Sequence, residues 1–353
     1  DHFNTKLYTG DGATTLAVSG VGFSPGLLWI KNRDADDNHI VVDALRGATK
    51  YIVPNDYTVA ETTDATFVAS LDSDGFTVGD DVVVNTNAEN YVSWNWYCPT
   101  TFDPTTDGDI SVATGLSNST AGFSIVRWVG ESSGTSSGDS NTIGHGLSQA
   151  PELIIAKELV ANTGSLSGWP VGGSHGFNTA WEYFLLLQST NAESNTNGTD
   201  VWNDTTPSSS VFTVGDGGMT NESGNPYIGY CFHSVEGYSK VGSYTGNDST
   251  DGVFLYCGFR PALIMVKRTD TSGTGWVLMD AARNTYNVMN DSLLANSSAA
   301  ENDARATMPL DFVSNGFKWR TNYSDVNGAS GGTNHTYIYL AFAESPFKTS
   351  NAR

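Results

Sequence analysis

The apolar positions of this chain fall into short runs, and the runs recur. Gly22-Phe23-Ser24-Pro25 leads into Leu27-Leu28-Trp29-Ile30-Lys31, and Gly258-Phe259-Arg260-Pro261 leads into Leu263-Ile264-Met265-Val266-Lys267. A looser copy reads Gly146-Leu147-Ser148-Gln149-Ala150-Pro151 and then Leu153-Ile154-Ile155-Ala156-Lys157. Downstream, His39-Ile40-Val41-Val42-Asp43-Ala44-Leu45-Arg46 answers to Trp276-Val277-Leu278-Met279-Asp280-Ala281-Ala282-Arg283, and Asn55 with Ala60-Glu61 to Asn296 with Ala300-Glu301. Ser73-Asp74-Gly75-Phe76 then matches Ser314-Asn315-Gly316-Phe317, while the middle copy keeps Ser210-Val211-Phe212. Each copy closes on an aromatic run, at Tyr91-Val92-Ser93-Trp94, Tyr227-Ile228-Gly229-Tyr230 and Tyr337-Ile338-Tyr339-Leu340. Several blocks in one order at near-equal spacing mark an internal repeat.

Each block has a local physical meaning. Proline fixes φ and holds its predecessor extended, so Gly-Phe-x-Pro ends a loop and the apolar run after it reads as a central strand. Asp74-Gly75 and Asn315-Gly316 sit between apolar runs, where glycine tolerates the positive φ of a tight hairpin. Tyr91, Ser93 and Asn95 alternate with Val92, Trp94 and Trp96, the period of a strand with one buried face. Asp43–Leu45 and Asp280–Ala282 each suit a single helical turn with Asp as the cap. The stretch from Trp276 to Met308 lacks Pro and Gly, but Asn, Ser, Thr and Asp crowd it, so it does not read as a long helix. The expected fold class is all-β: three repeated antiparallel β-sandwich-like units with short helical turns. The expected division is residues 1–102 for the first unit, 103–123 for a linker, 124–241 for a degenerate second unit with insertions, and 242–353 for the third. The insertions, Val160 to Asn178 and Ser189 to Ser210, and the short stretch between them hold Trp169, Phe177, Trp181 and Trp202 close to His175 and Asp204.

Composition narrows the function. The 353 residues carry 17 Lys and Arg against 38 Asp and Glu, a formal charge of −21. Such a surface repels phosphate backbones, so nucleic acid is not an expected partner. No apolar run approaches the roughly 20 residues that cross a bilayer as a helix, so membrane insertion is not expected either. The chain begins at Asp1 rather than Met, and is expected to be a processed product or a segment of a longer polypeptide. Cys98, Cys231 and Cys257 are few, odd in number and without CxxC spacing, and each lies beside an apolar-aromatic stretch, as buried thiols do.

No catalytic constellation emerges: there is no GxSxG, Walker or dinucleotide loop, and six scattered histidines lack HxH or HExxH spacing. Asp72-Ser73-Asp74-Gly75 and Asp34-Ala35-Asp36-Asp37-Asn38 resemble calcium loops but lack the glycine and glutamate that an EF-hand needs at its sixth and twelfth positions. No cofactor is predicted, although the acidic residues leave room for calcium between loops elsewhere. Lys31, Arg33 and Asp43, matched by Lys267, Arg268 and Asp280, read as structural ion pairs tying adjacent strands. Trp169, Trp181 and Trp202, on and between the insertions, are the expected glycan-binding residues, because aromatic faces stack on sugar C–H groups.

Gly22 through Arg33, Arg46-Gly47-Ala48-Thr49-Lys50, Ser73-Asp74-Gly75-Phe76 and Tyr339-Leu340-Ala341-Phe342-Ala343-Glu344-Ser345-Pro346-Phe347 resemble a tail-fibre-associated domain, of uncharacterised function, from marine and other environmental tailed bacteriophages. The resemblance implies an extracellular, virion-surface protein of the tail or fibre, often trimeric and in contact with other virion proteins and the host envelope. It supplies no catalytic residues. The leading expectation is therefore a structural virion protein that adheres to host-surface glycan and is no enzyme. The alternatives are a purely architectural fibre or decoration protein, a secreted carbohydrate-binding protein, and a polysaccharide depolymerase using two carboxylates.

Overall fold

A computed structural model describes residues 2–132, 140–161, 167–196, 201–301, 308–330 and 332–347. The molecule is nearly all β, with several antiparallel sheets. Its organisation follows from the closing aromatic strands. Asn90–Trp96 lies between Phe3–Thr9 and Leu27–Asn32, and the sheet continues through Ile40–Asp43 to Lys50–Ile52 and Thr62–Thr63. Pro226–Phe232 likewise lies between Phe123–Val129 and Leu153–Glu158, followed by Pro170–Gly173 and Leu185–Leu186. Thr336–Ala343 lies between Ser239–Thr245 and Pro261–Arg268, followed by Val277–Asp280 and Leu293–Leu294. The three registers are homologous: Trp29 faces Trp94, Ile155 faces Tyr230 and Met265 faces Leu340.

A smaller sheet packs on the outside of each main sheet: Leu16–Ser19 with Gly75–Val78 and Val68–Asp72, Asn141–Gly144 with Val211–Val214, and Phe254–Tyr256 with Gly316–Trp319 and Leu310–Val313. Alternation along the strands sends one set of side chains into a core belonging to that unit. Leu28, Ile30 and Phe76 fill the first, Ile154, Ala156 and Phe212 the second, and Ile264, Val266 and Phe317 the third. The other set faces inward to a fourth core shared by all three units, where Trp29, Trp94, Tyr230, Phe232, Met265 and Phe342 meet. The units are therefore sandwiches that have a common interior.

Two expectations about boundaries change. Residues 103–123 are not a linker, because Ala113–Asn118 pairs with Phe123–Val129, and Thr100–Phe102 pairs in turn with Ala113–Asn118. Leu116 reaches the shared core, and Gly115, Ser117 and Asn118 beside it are buried between the two flanking strands. The third unit starts at Ser239, inside the expected second unit. The predicted single helical turns at Asp43 and Asp280 are tight turns in which Asp43 Oδ1 accepts from the Arg46 N–H at 2.9 Å and Asp280 Oδ1 from that of Arg283 at 2.9 Å. Within the insertions and loops, residues 133–139, 162–166 and 197–200 lie outside the described residues, as do 348–353 of the expected third unit.

Candidate functional site

The proposed glycan tryptophans are structural, all three almost wholly buried. Trp169 immediately precedes Pro170–Gly173, the place that His39 and Trp276 take before their own strands. Each of the three reaches the backbone of the neighbouring unit at an equivalent position: Trp169 Nε1 donates to the Val53 carbonyl at 3.1 Å, Trp276 Nε1 to Leu186 at 3.0 Å, and His39 Nε2 lies 3.0 Å from the Leu294 carbonyl. Trp29 Nε1 donates to His39 Nδ1 at 2.9 Å, so His39 is neutral with its proton on Nε2. Burial, with Lys31 nearby, holds that imidazole down at about 3. Trp181 and Trp202 form an edge-to-face pair, ring centroids 5.9 Å apart, inside the second unit's own core.

These contacts run cyclically, from the second unit to the first, the first to the third, and the third to the second. Three glutamate amides bridge the same seams in the reverse sense: Glu61 N–H donates to the Leu159 carbonyl at 2.8 Å, Glu193 to Thr269 at 2.7 Å and Glu301 to Arg33 at 2.8 Å. The units thus close a pseudo-threefold ring. At its centre a cavity of about 30 Å³ is lined by five residues from each unit, all hydrophobic, an environment that keeps a void of that size dry.

The expected ion-pair network resolves into other partners. Asp43 Oδ2 accepts from Arg46 Nε at 2.6 Å and Asp280 Oδ2 from Arg283 Nε at 2.5 Å, all four side chains inaccessible to solvent. Burial alone would disfavour the Arg46 charge, but the Asp43 carboxylate holds the guanidinium above its ordinary pKa. Both aspartates also cross a seam. Tyr230 OH donates to Asp43 Oδ2 at 2.9 Å, and Trp94 Nε1 to Asp280 Oδ2 at 3.2 Å. In the third seam the homologous positions are Gly173, Gly176 and Leu340, and a side chain at Gly173 would collide with the Phe177 ring. Aspartate, arginine and polar aromatic are thus absent together, as the cost of an unpaired buried charge requires. Arg33 pairs with Glu301 of the third unit at 2.5 Å, and Arg283 reaches the same carboxylate at 2.6 Å. Burial alone would raise Glu301, but the hydrogen bonds from Arg33 and the Arg283 charge hold it below the usual carboxylate range.

Lys31 and Lys267 are not in ion pairs, contrary to expectation. Both are fully buried, with Lys31 Nζ donating to the carbonyls of Asn32 at 2.5 Å and Ala35 at 2.9 Å, and Lys267 Nζ to the Thr274 carbonyl at 3.0 Å. The turn that follows each strand supplies carbonyl oxygens where a carboxylate was expected. Desolvation pulls both ammonium groups down to about 8. Arg268 donates to the carbonyls of Ser272 at 2.8 Å and Thr271 at 3.2 Å and lies 4.0 Å from Asp270.

Sequence reading missed a second threefold device. The phenols of Tyr91, Tyr227 and Tyr337 each bind the loop that leads back into their strand, accepting from the N–H of Thr86, Glu222 and Gly328 at 2.8, 2.9 and 2.9 Å. They donate to the carbonyls of Val82, Gly218 and Ser324 at 3.0, 2.8 and 2.8 Å. Buried Asn85, Asn221 and Asn327 tie the same loops to the carbonyls of Gly79, Gly215 and Thr321, six residues earlier in each case. Each tyrosine stacks on its cross-strand neighbour, Tyr8, Trp128 and Tyr244, with centroids 4.9, 5.5 and 4.9 Å apart.

The acidic stretches hold neighbouring loops, one of them across a seam. Asp74 accepts from the N–H groups of Gly20 and Gly22 at 3.1 and 2.7 Å, Asp34 from that of Asn90 at 2.7 Å, and Asp36 from that of Ala300 at 2.8 Å. Among the described residues no three His, Cys, Asp or Glu side chains gather as a metal site, and no helix is long and apolar enough to cross a membrane. The three cysteines are free thiols and buried.

With these features assigned to the fold, the copies become controls for one another. Leu255, Val18 and Ile143 hold homologous inward positions, facing Phe317, Phe76 and Phe212 across their small sheets. The flanking outward positions are Ala17 and Ser19 in the first unit, Thr142 and Gly144 in the second, and Phe254 and Tyr256 in the third. Small residues suffice there in the first unit and Pro104 covers Gly144 in the second, yet Phe254 is 48% exposed and Tyr256 67%. Of the eight exposed large hydrophobic side chains among the described residues, six belong to the third unit; Tyr286, Val288, Tyr323 and Phe347 are the others. Tyr256 also walls a groove of about 600 Å³ with Ser234, Glu236, Ser239, Lys240 and Phe347, where the second unit passes into the third. The period-2 pattern Phe254-Leu255-Tyr256, set against its two homologous copies, carried the signal.

Three homologous sandwich units around a shared core, with an aromatic face and groove on one of them, define a repeated all-β protein. Over residues 1–346 the chain matches the model of a family described as a domain of unknown function (DUF7483), and it belongs to that family. A search of curated proteins finds no match.

Proposed function

We propose that the chain is a surface module of a virion tail or fibre, structural in its shared core and adhesive on the outer face of its third unit, where host-surface glycan is held. The observation that carries this reading is the exposure of Phe254 and Tyr256 at positions where the other two copies place Ala17, Ser19, Thr142 and Gly144. Two rings on one strand face, with polar side chains in the groove beside them, suit the flat apolar faces and hydroxyls of sugars. The virion setting rests on the phage resemblance of the repeat motifs, and no catalytic residue is assigned. Binding of the purified chain to host cells or to a glycan array tests it: replacing Phe254 and Tyr256 together by Ala abolishes binding, with the unfolding midpoint unchanged. Retained binding refutes the placement.

The architectural reading is favoured by Tyr286, Val288 and Tyr323, which extend the exposed apolar character of the third unit beyond the groove. On that reading the face is a subunit contact, in a homotrimer by the expectation from the phage resemblance. Light scattering decides, since the same double variant would then convert an oligomer to a monomer.

A further inference from the structure

The groove beside Tyr256 differs from its homologous regions in one more residue. Counting back four positions from Tyr8, Trp128 and Tyr244, whose cross-strand partners are the three anchor tyrosines, gives Asn4, Ser124 and Lys240. Asn4 spends its side chain on the fold, donating to the Val21 carbonyl at 2.9 Å, and Ser124 is buried. Lys240 instead is half-buried and lines the groove, near the buried Cys257 thiol. The other surface cations among the described residues of the third unit are neutralised: Arg260 by Glu344 at 2.9 Å, Lys318 by Asp251 at 2.7 Å and Arg320 by Asp311 at 2.5 Å. Lys240 makes no ion pair among the described residues, in a chain with more than two acidic groups for every basic one. Lys240 and Tyr256 thus both line the groove, at positions where the other copies hold Asn4 and Ser124, and Ser19 and Gly144.

We propose that the groove takes an acidic sugar of the glycan, one bearing a carboxylate or sulfate ester, with Lys240 as its counter-ion and Tyr256 stacked on its ring. This rests on the adhesive reading above. An ammonium against an anionic oxygen makes a charge-assisted hydrogen bond, stronger than one to a hydroxyl. The glycan's distant charges feel little of the protein's net charge, which is screened beyond about 8 Å at physiological salt. Glu236 at the exposed rim repels a second anionic group and accepts from hydroxyls, which favours an isolated acidic residue over a dense run of them.

The test is titration calorimetry of the full chain at 0.15 M salt with three probes: oligogalacturonate for carboxylate, carrageenan oligosaccharide for sulfate ester, and dextran oligosaccharide as the neutral control. The expected result is about tenfold tighter binding of at least one acidic probe than of dextran, the scale of one charge-assisted hydrogen bond. Lys240→Met removes that preference and leaves dextran binding unchanged, Lys240→Arg retains it, and Tyr256→Ala weakens acidic and neutral probes alike. A preference that survives Lys240→Met overturns the assignment. Dextran bound as tightly as the acidic probes, and lost on Tyr256→Ala, overturns the acidic ligand but leaves the aromatic platform standing. Failure of the native chain to bind any of the three overturns both. Unfolding midpoints of the variants exclude loss of fold as the cause.

Discussion

Replacing Asp43 by Ala strands a guanidinium in the interior. Arg46 would lose its 2.6 Å partner and keep only the longer contacts to Glu61 at 3.4 Å and the Val41 carbonyl at 3.3 Å. Tyr230 OH and the Arg46 N–H would lose their acceptor as well. Breaking a buried pair from one side costs about 3–5 kcal/mol, because the remaining charge stays desolvated. Arg46→Ala should cost a similar amount by stranding the carboxylate. The double variant removes both charges, so its cost should fall short of the summed singles by about 2 kcal/mol. Urea unfolding followed by far-UV circular dichroism measures all three, with a common slope checking that the transition stays cooperative. A double variant that costs the full sum or more would refute the claim that the two residues act as a unit, and with it the explanation for their joint absence beside Leu340.

Three further outcomes are expected. Tyr227→Phe removes two hydrogen bonds from the loop at Gly218 and Glu222 and should cost about 1–3 kcal/mol in the same assay. Burial holds His39 down at about 3 in the folded chain, against 6.5 for a solvent-exposed imidazole, so the unfolded chain binds the extra proton between those values. Stability then falls as pH drops from 6.5 toward 3, by about 1.4 kcal/mol per pH unit from this residue. His39→Gln should remove that part of the slope, read as the difference between the acid-unfolding profiles of the two proteins. Trp202→Ala should cost about 3–5 kcal/mol as a core truncation, whereas Tyr256→Ala should stay within about 0.5 kcal/mol as a surface change, both measured by urea unfolding.

Period and repetition carried the sheet strands into view, because a strand announces itself by alternation and a copied unit announces its equivalents. The pairing of His39 with Trp276 was already visible in the aligned blocks, and it was the clue to Trp169. Trp169 was misread because the second unit's long insertions suggested loops, when the tryptophan sits one residue before a strand. Lys31 and Lys267 were recognisable as equivalent, but their partners are carbonyls, which leave no trace in side-chain identity. Arg33 and Glu301 stand 268 positions apart, and no local pattern links residues across a ring. The aromatic face became distinguishable only once Leu255 was known to point inward, since exposure separates a platform from a core and composition does not.

Ring closure has a consequence for how such a chain could have grown. A solenoid accepts another repeat at its end because each unit meets only its neighbours. Here every unit presses on both others, and each seam joins one unit's strand edge to the next unit's sheet face. A fourth copy would find no vacant seam, and deletion of one would bare two apolar walls at once. The number three is therefore set by geometry, and on the outward surfaces one copy can acquire a task without disturbing its siblings.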